Sequence, residues 1–367
     1  MSRSGPCSVK SISRLIEFPL YFIPELLEVT SLFVYNKPGP TGPGLFCCVS
    51  GAIRLNNYRG KHSTNMPWAV SSTASVRYRS RHQLKNRRRR RGRIVLAVLV
   101  VILLLLPFLD PLWIREDKVS LTSEDLPEGI GHLRVVYLSD LHYGFFFSQS
   151  RVNSLVNQIN NLKPDIVIFG GDMGDSAEEA IKFYRNLPSI HARYALLGVL
   201  GDYDHGADTL ERTAITDAMR DADVTPLVND VAAVRVGTSS VYVAGLDMPE
   251  GSYTTALTSL AAKTSESDFV IFTCHTPAVV SEAQRVSDAN GSLGWYDLAL
   301  FGHTHGGQIK GLSGFLDIAS DVDSHYLSGW LVENRATILV SNGVGTSVIP
   351  ARVFCPAQIH CIDISVP

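Results

Sequence analysis

The stretch Leu298-Ala299-Leu300-Phe301-Gly302-His303-Thr304-His305-Gly306-Gly307-Gln308 joins an apolar run to two histidines through a glycine. The apolar run predicts a β-strand, and the glycine places the next side chains at the end of that strand. His303 and His305 are two residues apart, so in an extended segment their imidazoles point to the same side. Neutral imidazole is a common ligand of transition metals. The stretch therefore predicts a metal site at the C-terminal edge of a sheet.

Four other apolar runs in the chain also end in Asp or His. They are Val135–Ser139 before Asp140 and His142, Asp165–Phe169 before Asp172 and Asp175, Tyr194–Leu200 before Asp202 and Asp204, and Phe269–Thr273 before Cys274 and His275. Each run is rich in β-branched residues and predicts a buried strand. Polar surface residues would be scattered over loops and faces, whereas these lie at strand ends. The pattern therefore indicates one shared site.

The order of these blocks resembles the pattern of calcineurin-like metallophosphoesterases. That pattern is Asp-x-His, Gly-Asp-x-x-Asp, Gly-Asn-His-Asp, a single His and Gly-His-x-His, and the resemblance extends from about Leu133 to the C-terminus. The ending Gly-His-Thr-His-Gly-Gly-Gln and the segment Ser341–Thr346 are similar to the membrane-anchored bacterial branch, which includes UDP-2,3-diacylglucosamine pyrophosphatase-like enzymes. The resemblance implies an α/β fold in which two packed mixed sheets are flanked by helices, in four layers.

The resemblance also implies a role for each ligand candidate. The first metal would be held by Asp140, His142, Asp172 and His305, and the second by Asp172, Asp202, His275 and His303. Asp172 would bridge the two ions, and Asp175 would orient a ligand. Mixed imidazole and carboxylate ligands favour Mn²⁺, with Fe or Zn²⁺ as alternatives. The implied reaction is hydrolysis of a phosphodiester, phosphomonoester or pyrophosphate bond by a metal-activated water.

The third block departs from the family pattern. Gly201-Asp202-Tyr203-Asp204 stands where the family has Gly-Asn-His-Asp, so a carboxylate replaces an amide ligand and Tyr203 replaces the histidine that protonates the leaving oxygen. Because tyrosine has a pKa of about 10, it is a weaker proton donor than histidine at neutral pH. His205 is the alternative donor. The candidate catalytic residues are therefore Tyr203, His205 and Asp204, the carboxylate that would hold the donor.

The net charge of −2 combines a basic N-terminal part with an acidic remainder. Residues 1–93 hold 17 Lys and Arg and three acids, whereas residues 94–367 hold 16 Lys and Arg and 32 acids. The arginines of residues 87–93 lead directly into the apolar run Ile94–Leu109. This run is shorter than the roughly 20 residues that cross a bilayer, but flanking Arg93 and Trp113 extend it to the interfaces.

An uncleaved signal anchor is predicted, because only bulky residues follow the apolar run and no small-x-small cleavage site is present. The positive-inside rule places the arginines in the cytoplasm and the domain that follows outside it. Four segments result. They are a basic tail over 1–86, either disordered or a non-native extension if translation begins at Met66; a basic flank and anchor over 87–114; a linker over 115–132; and the catalytic domain over 133–367.

The sequence thus predicts a membrane-anchored, two-metal phosphoesterase. Its expected partners are the membrane and a phosphorylated small molecule, a lipid or a lipid-linked nucleotide. A non-catalytic metal-binding or phospholipid-binding protein on the same scaffold is the alternative, because Tyr203 replaces the usual donor. No nucleic acid is expected, since the arginines adjoin an apolar segment. For Phe145–Phe147 both core packing and membrane contact are open, and Cys355 is a candidate to pair with Cys361 in an oxidising compartment.

Overall fold

The computed structural model describes residues 81–205, 209–247, 253–265, 267–309, 319 and 321–367. Most of the predicted basic tail lies outside the described residues. The chain divides into two units, and in the described residues the boundary lies between Val95 and Leu96. Of the unit Ser13–Val95, the structure describes only the beginning of one helix. The architecture below is that of the unit that contains Leu96–Pro367.

Helix α1 (Arg81–Leu109) contains the arginine run and the apolar run, and a short 3-10 turn at Asp110–Leu112 follows it. Leu, Ile, Val and Ala allow a continuous helix here, and the single Pro107 lies close to its end. The apolar side chains from Ile94 to Leu106 are exposed. Residues Arg87–Leu112 are long and apolar enough to cross a membrane.

The first sheet has six strands. They are β1 (Arg115–Thr122), β2 (His132–Leu138), β3 (Ile166–Phe169), β4 (Ala195–Gly198), β5 (Thr225–Pro226) and β12 (Gln358–Ser365), in the order β1-β12-β2-β3-β4-β5. Every neighbouring pair is parallel except β12 with β2. Helices α2 (Gln149–Leu162), α3 (Ala177–Arg185) and α4 (Thr209–Asp221) connect its parallel strands. These βαβ units bring the C-terminal ends of β2, β3 and β4 to one edge.

The second sheet also has six strands. They are β6 (Asp230–Val236), β7 (Ser239–Leu246), β8 (Val270–Cys274), β9 (Leu298–Phe301), β10 (Gly329–Glu333) and β11 (Ala336–Val340), in the order β10-β11-β9-β8-β7-β6. The outer pairs β6–β7 and β10–β11 are antiparallel, and the central strands are parallel. Helices α5 (Tyr253–Ala261) and α6 (Val280–Ala283) precede and follow β8.

Three apolar clusters hold these elements together in four layers. One cluster lies between the sheets, and each of the other two joins a sheet to its helices. Strand β2 shows how alternation produces this arrangement, because Val135 and Tyr137 face the second sheet while Val136 and Leu138 face the helices. The predicted fold of two mixed sheets flanked by helices is confirmed.

The predicted linker over 115–132 is wrong for its first half, because residues 115–122 form β1. This strand pairs with β12 in parallel. Its sequence Arg-Glu-Asp-Lys-Val-Ser-Leu-Thr lacks a continuous apolar face, since an edge strand buries few of its side chains. Contacts distant in sequence hold it instead, because the Asp117 carboxylate accepts from Trp330 Nε1 at 3.0 Å and lies 2.9 Å from His360 Nδ1.

Cys355 and Cys361 form no disulfide with each other. Cys361 lies on β12, whereas the Cys355 thiol donates to the carbonyl of Gly306 at 2.8 Å. The thiol therefore connects the segment before β12 to the turn that follows His305.

Candidate metal centre

The seven predicted ligands follow the C-terminal ends of five strands in the two sheets. Asp140 and His142 follow β2, Asp172 follows β3, Asp202 follows β4, His275 follows β8, and His303 and His305 follow β9. Parallel strands end at the same edge, and the two sheets pack face to face. The fold therefore brings together side chains that are up to 165 positions apart, from Asp140 to His305.

One group of ligand atoms combines both sheets. His142 Nε2 lies 3.0 Å from His305 Nε2, and His305 Nε2 lies 3.6 Å from Asp140 Oδ1. The two imidazoles stack with 5.0 Å between ring centroids. All three side chains are buried. Two nitrogens directed at the same point, beside a carboxylate, are an arrangement that a divalent cation would stabilise.

A second group lies next to the first. His303 Nδ1 is 3.0 Å from Asp202 Oδ2, and these two form a potential ligand set with His275. Asp172 connects the two groups, because its Oδ2 lies 3.2 Å from His275 Nε2 and 3.8 Å from His142 Nε2. The position of Asp172 is the one that a bridging carboxylate requires.

The buried Nε2 atom of His275 shows whether the site suits a cation. His275 Nδ1–H donates a hydrogen bond to the carbonyl of Gly170 at 2.8 Å, which leaves Nε2 as the nitrogen available to a metal. Nε2 is buried without a hydrogen-bond partner among the described residues, and Asp172 Oδ2 is close but not aligned with it. An orphaned imidazole nitrogen beside two carboxylates suits a metal ligand.

The pKa values of these groups reflect their burial and their mutual charges. Burial alone would raise the pKa of Asp172, but His275 and His142 lower it to about 2. Burial would lower the pKa of His275, but the Asp172 and Asp140 carboxylates raise it well above its usual value. For His305, burial and then His142 hold the pKa well below its usual value. Cations bound here would replace the protons that the carboxylates attract to the imidazoles.

Five of the seven ligand candidates have a left-handed backbone. Their φ angles are 52° for Asp140, 52° for His142, 55° for Asp172, 66° for His303 and 50° for His305. A positive φ is uncommon for residues other than glycine, and such conformations concentrate at functional sites. The backbone therefore directs these side chains inward at a conformational cost, which the surrounding hydrogen bonds offset.

Glycines allow the backbone to approach the carboxylates closely. A Cβ atom at Gly201 would lie 2.2 Å from Asp172 Oδ1, and one at Gly302 would lie 2.5 Å from Asp140 Oδ2. No side chain fits in either position. The glycines that precede Asp202 and His303 are therefore part of the site, because they leave room for the ligand of a neighbouring strand end.

Asp175 contacts His142 on the side of the imidazole that faces away from the other ligand candidates. Its Oδ1 lies 3.4 Å from His142 Nδ1, the ring nitrogen opposite the one that faces His305. A carboxylate at this position fixes the orientation of an imidazole.

The third block places Tyr203 against the ligands. Its ring meets that of His142 edge to face at 5.1 Å between centroids, and its backbone N–H donates to Asp172 Oδ1 at 2.9 Å. The side chain is 46 % exposed, so the phenol borders solvent and the ligand cluster.

The side chains of Asp204 and His205 make their described contacts outside the two ligand groups. The buried Asp204 carboxylate accepts from the backbone N–H groups of Met173 and Gly174 at 3.0 and 3.1 Å. Burial raises its pKa to about 6. His205 lies against Arg212 Nη2 at 2.9 Å and Asp247 Oδ2 at 3.5 Å. Among the described contacts, Asp204 therefore holds two ligand-bearing loops together, and Tyr203 is the donor candidate beside the ligands.

Two further side chains belong to the site but carry no signal in the sequence. The Arg352 guanidinium is buried, lies 3.4 Å from His305 Nδ1 and donates to the carbonyl of Gly345 at 2.9 Å. Burial lowers the pKa of Arg352 to about 10. Asp321 Oδ1 lies 3.3 Å from His303 Nε2. Each stands alone in a loop without a recognisable pattern.

The two mixed sheets flanked by helices are consistent with the metallophosphoesterase fold. Residues 133–307 match the model of the calcineurin-like phosphoesterase family. This family generally uses a dinuclear metal site, and the two ligand groups described above, with Asp172 between them, are the candidates for it.

Curated relatives come from bacteria and animals. An uncharacterized metallophosphoesterase of Helicobacter pylori is 24% identical over 62% of this chain and 58% of its own length. The uncharacterized metallophosphoesterase YkuE of Bacillus subtilis is 25% identical over 69% of this chain and 86% of its own length. A transmembrane protein with metallophosphoesterase domain of Danio rerio is 26% identical over 66% and 55%. The chain thus spans less than two thirds of the Helicobacter and Danio relatives.

Proposed function

We propose that this protein is a membrane-anchored phosphoesterase that depends on two divalent metal ions. The observation that carries the proposal is the convergence of seven imidazole and carboxylate side chains from five strand ends, with Asp172 between the two groups. Structural ion pairs alone do not account for two histidine nitrogens that face each other at 3.0 Å.

Each of the two ligand groups would hold one metal ion, with Asp172 shared between them. Asp140, His142, Asp172 and His305 hold one ion, and Asp172, Asp202, His275 and His303 hold the other. When bound, two such ions neutralise phosphoryl oxygens and lower the pKa of water. The ligand set favours Mn²⁺, with Fe or Zn²⁺ as alternatives, because nitrogen and oxygen ligands are mixed.

The remaining residues position the ligands and the leaving group. Asp175 orients His142, and Asp204 fixes the loop from Gly201 to Asp204 against the loop after β3. Tyr203 is the proposed proton donor to the leaving oxygen, since its ring already lies against His142. His205 is the alternative donor, and it would have to leave Arg212 and Asp247 to act.

Helix α1 supports a location in the membrane. Its apolar side chains are exposed, and arginines precede them. The Danio rerio relative is itself named a transmembrane protein. With the arginines in the cytoplasm, the domain lies on the opposite side. A membrane location favours a phosphoester or pyrophosphate of a lipid or of a lipid-linked nucleotide as substrate.

The test is hydrolysis by the full chain in detergent. After chelation and dialysis, the protein is assayed with Mn²⁺, Fe²⁺, Zn²⁺ or no metal on p-nitrophenyl phosphate, bis-p-nitrophenyl phosphate and a panel of phosphorylated lipids and nucleotides. We expect metal-dependent turnover that Asp172→Asn removes and that Asp217→Asn, which changes an exposed acid of α4 paired with Arg220, retains.

The outcome also decides between the two function classes. Stoichiometric metal binding without hydrolysis of any phosphoester would contradict the enzyme. It would favour the non-catalytic metal-binding or phospholipid-binding alternative that the Tyr203 substitution supports.

A further inference from the structure

Several large apolar side chains are exposed around the end of helix α1. We call this set the interfacial rim, and it consists of Leu112, Trp113, Phe145, Phe146 and Phe354. Phe145 is 89 % exposed, Phe354 80 % and Trp113 72 %. Phe147, in contrast, is buried in the core. Phe145–Phe147 therefore combines both roles that the sequence left open, with one phenylalanine packed and two presented outward.

Two arginines fix the rim at the level where α1 ends. Arg151 donates to the carbonyl of Pro111 and, at 2.9 Å, to the carbonyl of Phe146, and its guanidinium covers the Phe147 ring. The backbone N–H of Arg352 donates to the carbonyl of Pro107 at 2.9 Å. Through Arg151, the loop that carries Phe145 therefore lies against the 3-10 turn that follows α1, and the segment that carries Phe354 lies against the last turn of the helix.

The backbone holds Phe354 outward. Its φ angle is 59°, a conformation that is unfavourable for an aromatic residue. The neighbouring Arg352 and Cys355 are buried and bonded to the interior, the first to Gly345 and the second to Gly306. Hydrogen bonds to the interior therefore hold the chain on both sides of Phe354, whose ring is exposed to solvent.

A helix that crosses a bilayer leaves the hydrocarbon at its end, so groups bonded to its last carbonyls lie at the headgroup level. Aromatic side chains are favoured there, and exposed apolar rings are unfavourable in water. The rim is continuous with the membrane-spanning segment through the contacts of Arg151 and Arg352. The occupant that this continuity favours is the bilayer surface.

The rim also lies close to the candidate metal centre. Phe145 is three residues after His142, and Arg352 extends from the Pro107 carbonyl to His305 Nδ1. One arginine side chain therefore separates the end of the helix from a proposed ligand. A phosphoester at the headgroup level would lie near the ligand cluster.

We propose that the interfacial rim docks the domain onto the same bilayer that α1 spans, and that the site acts on phosphoesters carried by lipids of this bilayer. The docking itself depends only on the rim and the helix. The lipid substrate class rests on the proposed phosphoesterase function.

Tryptophan quenching tests the docking on the full chain. In a Trp113→Phe background, Phe145→Trp, Phe354→Trp and the control Leu293→Trp are reconstituted into phosphatidylcholine vesicles with one quarter phosphatidylglycerol, with or without acyl-brominated phosphatidylcholine. Leu293 is a matched control because it is 67 % exposed and lies between α6 and β9. We expect at least about twofold more quenching at positions 145 and 354 than at 293. Equal quenching at all three positions would overturn the docking.

A matched pair of substrates tests the lipid class. The F145D/F354D double variant is compared with the unmodified chain on hexadecyl p-nitrophenyl phosphate in vesicles and on ethyl p-nitrophenyl phosphate in solution. We expect about tenfold slower hydrolysis of the hexadecyl ester and an unchanged rate on the ethyl ester. Equal effects on both esters would overturn the lipid assignment. Strong quenching without turnover of either ester would contradict the phosphoesterase function and leave the docking standing.

Discussion

The ring of Tyr203 meets the ring of His142 edge to face, with 5.1 Å between their centroids. The same residue donates its backbone N–H to Asp172. Tyr203 is therefore fixed at the ligand cluster both by its ring and by its backbone, whereas His205 is engaged by Arg212 and Asp247.

This relationship predicts a selective defect in Tyr203→Phe. An alkoxide leaving group needs a proton, whereas p-nitrophenolate needs little, and general acid catalysis contributes about 10²–10⁴-fold. We expect the variant to lose kcat/KM on alkyl phosphoesters by at least about tenfold more than on p-nitrophenyl esters. His205→Ala serves as the comparison and should slow both classes alike. The reverse pattern would make His205 the donor.

The proposed bridging role of Asp172 predicts that its loss has a larger effect on activity than the loss of Asp175. Asp172 lies within reach of ligand candidates from both groups, and Asp175 contacts the outer nitrogen of His142. We expect Asp172→Ala to abolish turnover, and Asp175→Ala to weaken metal affinity or activity by about 10–100-fold. Steady-state assays with metal titrations measure both, and equal losses would contradict the assignment of roles.

The ligand groups predict the metal stoichiometry. After loading with Mn²⁺ and removal of excess metal, elemental analysis of the full chain should find close to two ions per chain. His275→Ala removes a ring nitrogen that has no hydrogen-bond partner among the described residues and should reduce the content toward one ion. Less than one ion per loaded chain of the unmodified protein would contradict the dinuclear site.

Replacement of Asp202 is expected to change the affinity of the protein for the second metal ion and not for the first. Its Oδ2 lies 3.0 Å from His303 Nδ1, where the family pattern has an amide. Replacing the carboxylate by the neutral amide in Asp202→Asn should weaken the second ion by about 10-fold or more and leave the first unchanged. Calorimetric titration resolves the two ions. The control Asp321→Asn, which removes a more exposed carboxylate near His303, should have a smaller effect.

Strand β1 predicts a stability effect far from the metal centre. Asp117→Ala removes an acceptor from Trp330 and a partner from His360, and should lower the free energy of unfolding by about 1–3 kcal/mol. Burial raises the pKa of Asp117, but the hydrogen bond to His360 and its charge lower the pKa by more than burial raises it. The pKa of Asp117 is therefore below its usual value. The stabilisation is therefore complete above the ordinary carboxyl pKa and is lost as pH falls through the lowered pKa.

Thermal unfolding in detergent at several pH values measures this effect. Glu116→Ala is the control, because this neighbouring acid makes only the exposed contacts with Lys118 and Gln158. The difference between the two variants should disappear in strong acid. An equal loss in both variants at neutral pH would contradict a specific role for Asp117.

The strand ends were predictable because each buried parallel strand is a continuous apolar run with an Asp or His directly after it. Such runs identify the candidate ligand positions without any long-range information. Strand β1 was not predictable, because it lies at a sheet edge and its contacts with β12 and Trp330 are distant in sequence.

The sequence also could not decide between Tyr203 and His205. Their directions depend on the turn after β4, and this turn is set by hydrogen bonds from loops after β3 to Asp204. Arg352 and Asp321 reach the site from loops without periodicity, so only the folded chain shows them.

Strand β12 has a consequence for the biosynthesis of the protein. It lies between β1 and β2, yet it follows every other described strand in the chain. While a ribosome elongates the chain, the first sheet stays open until residues 358–365 emerge, and β1 and β2 have unpaired edges during that interval. Unpaired edges associate with other chains. The edges of β1 and β2 are therefore open to association with other chains until β12 inserts between them.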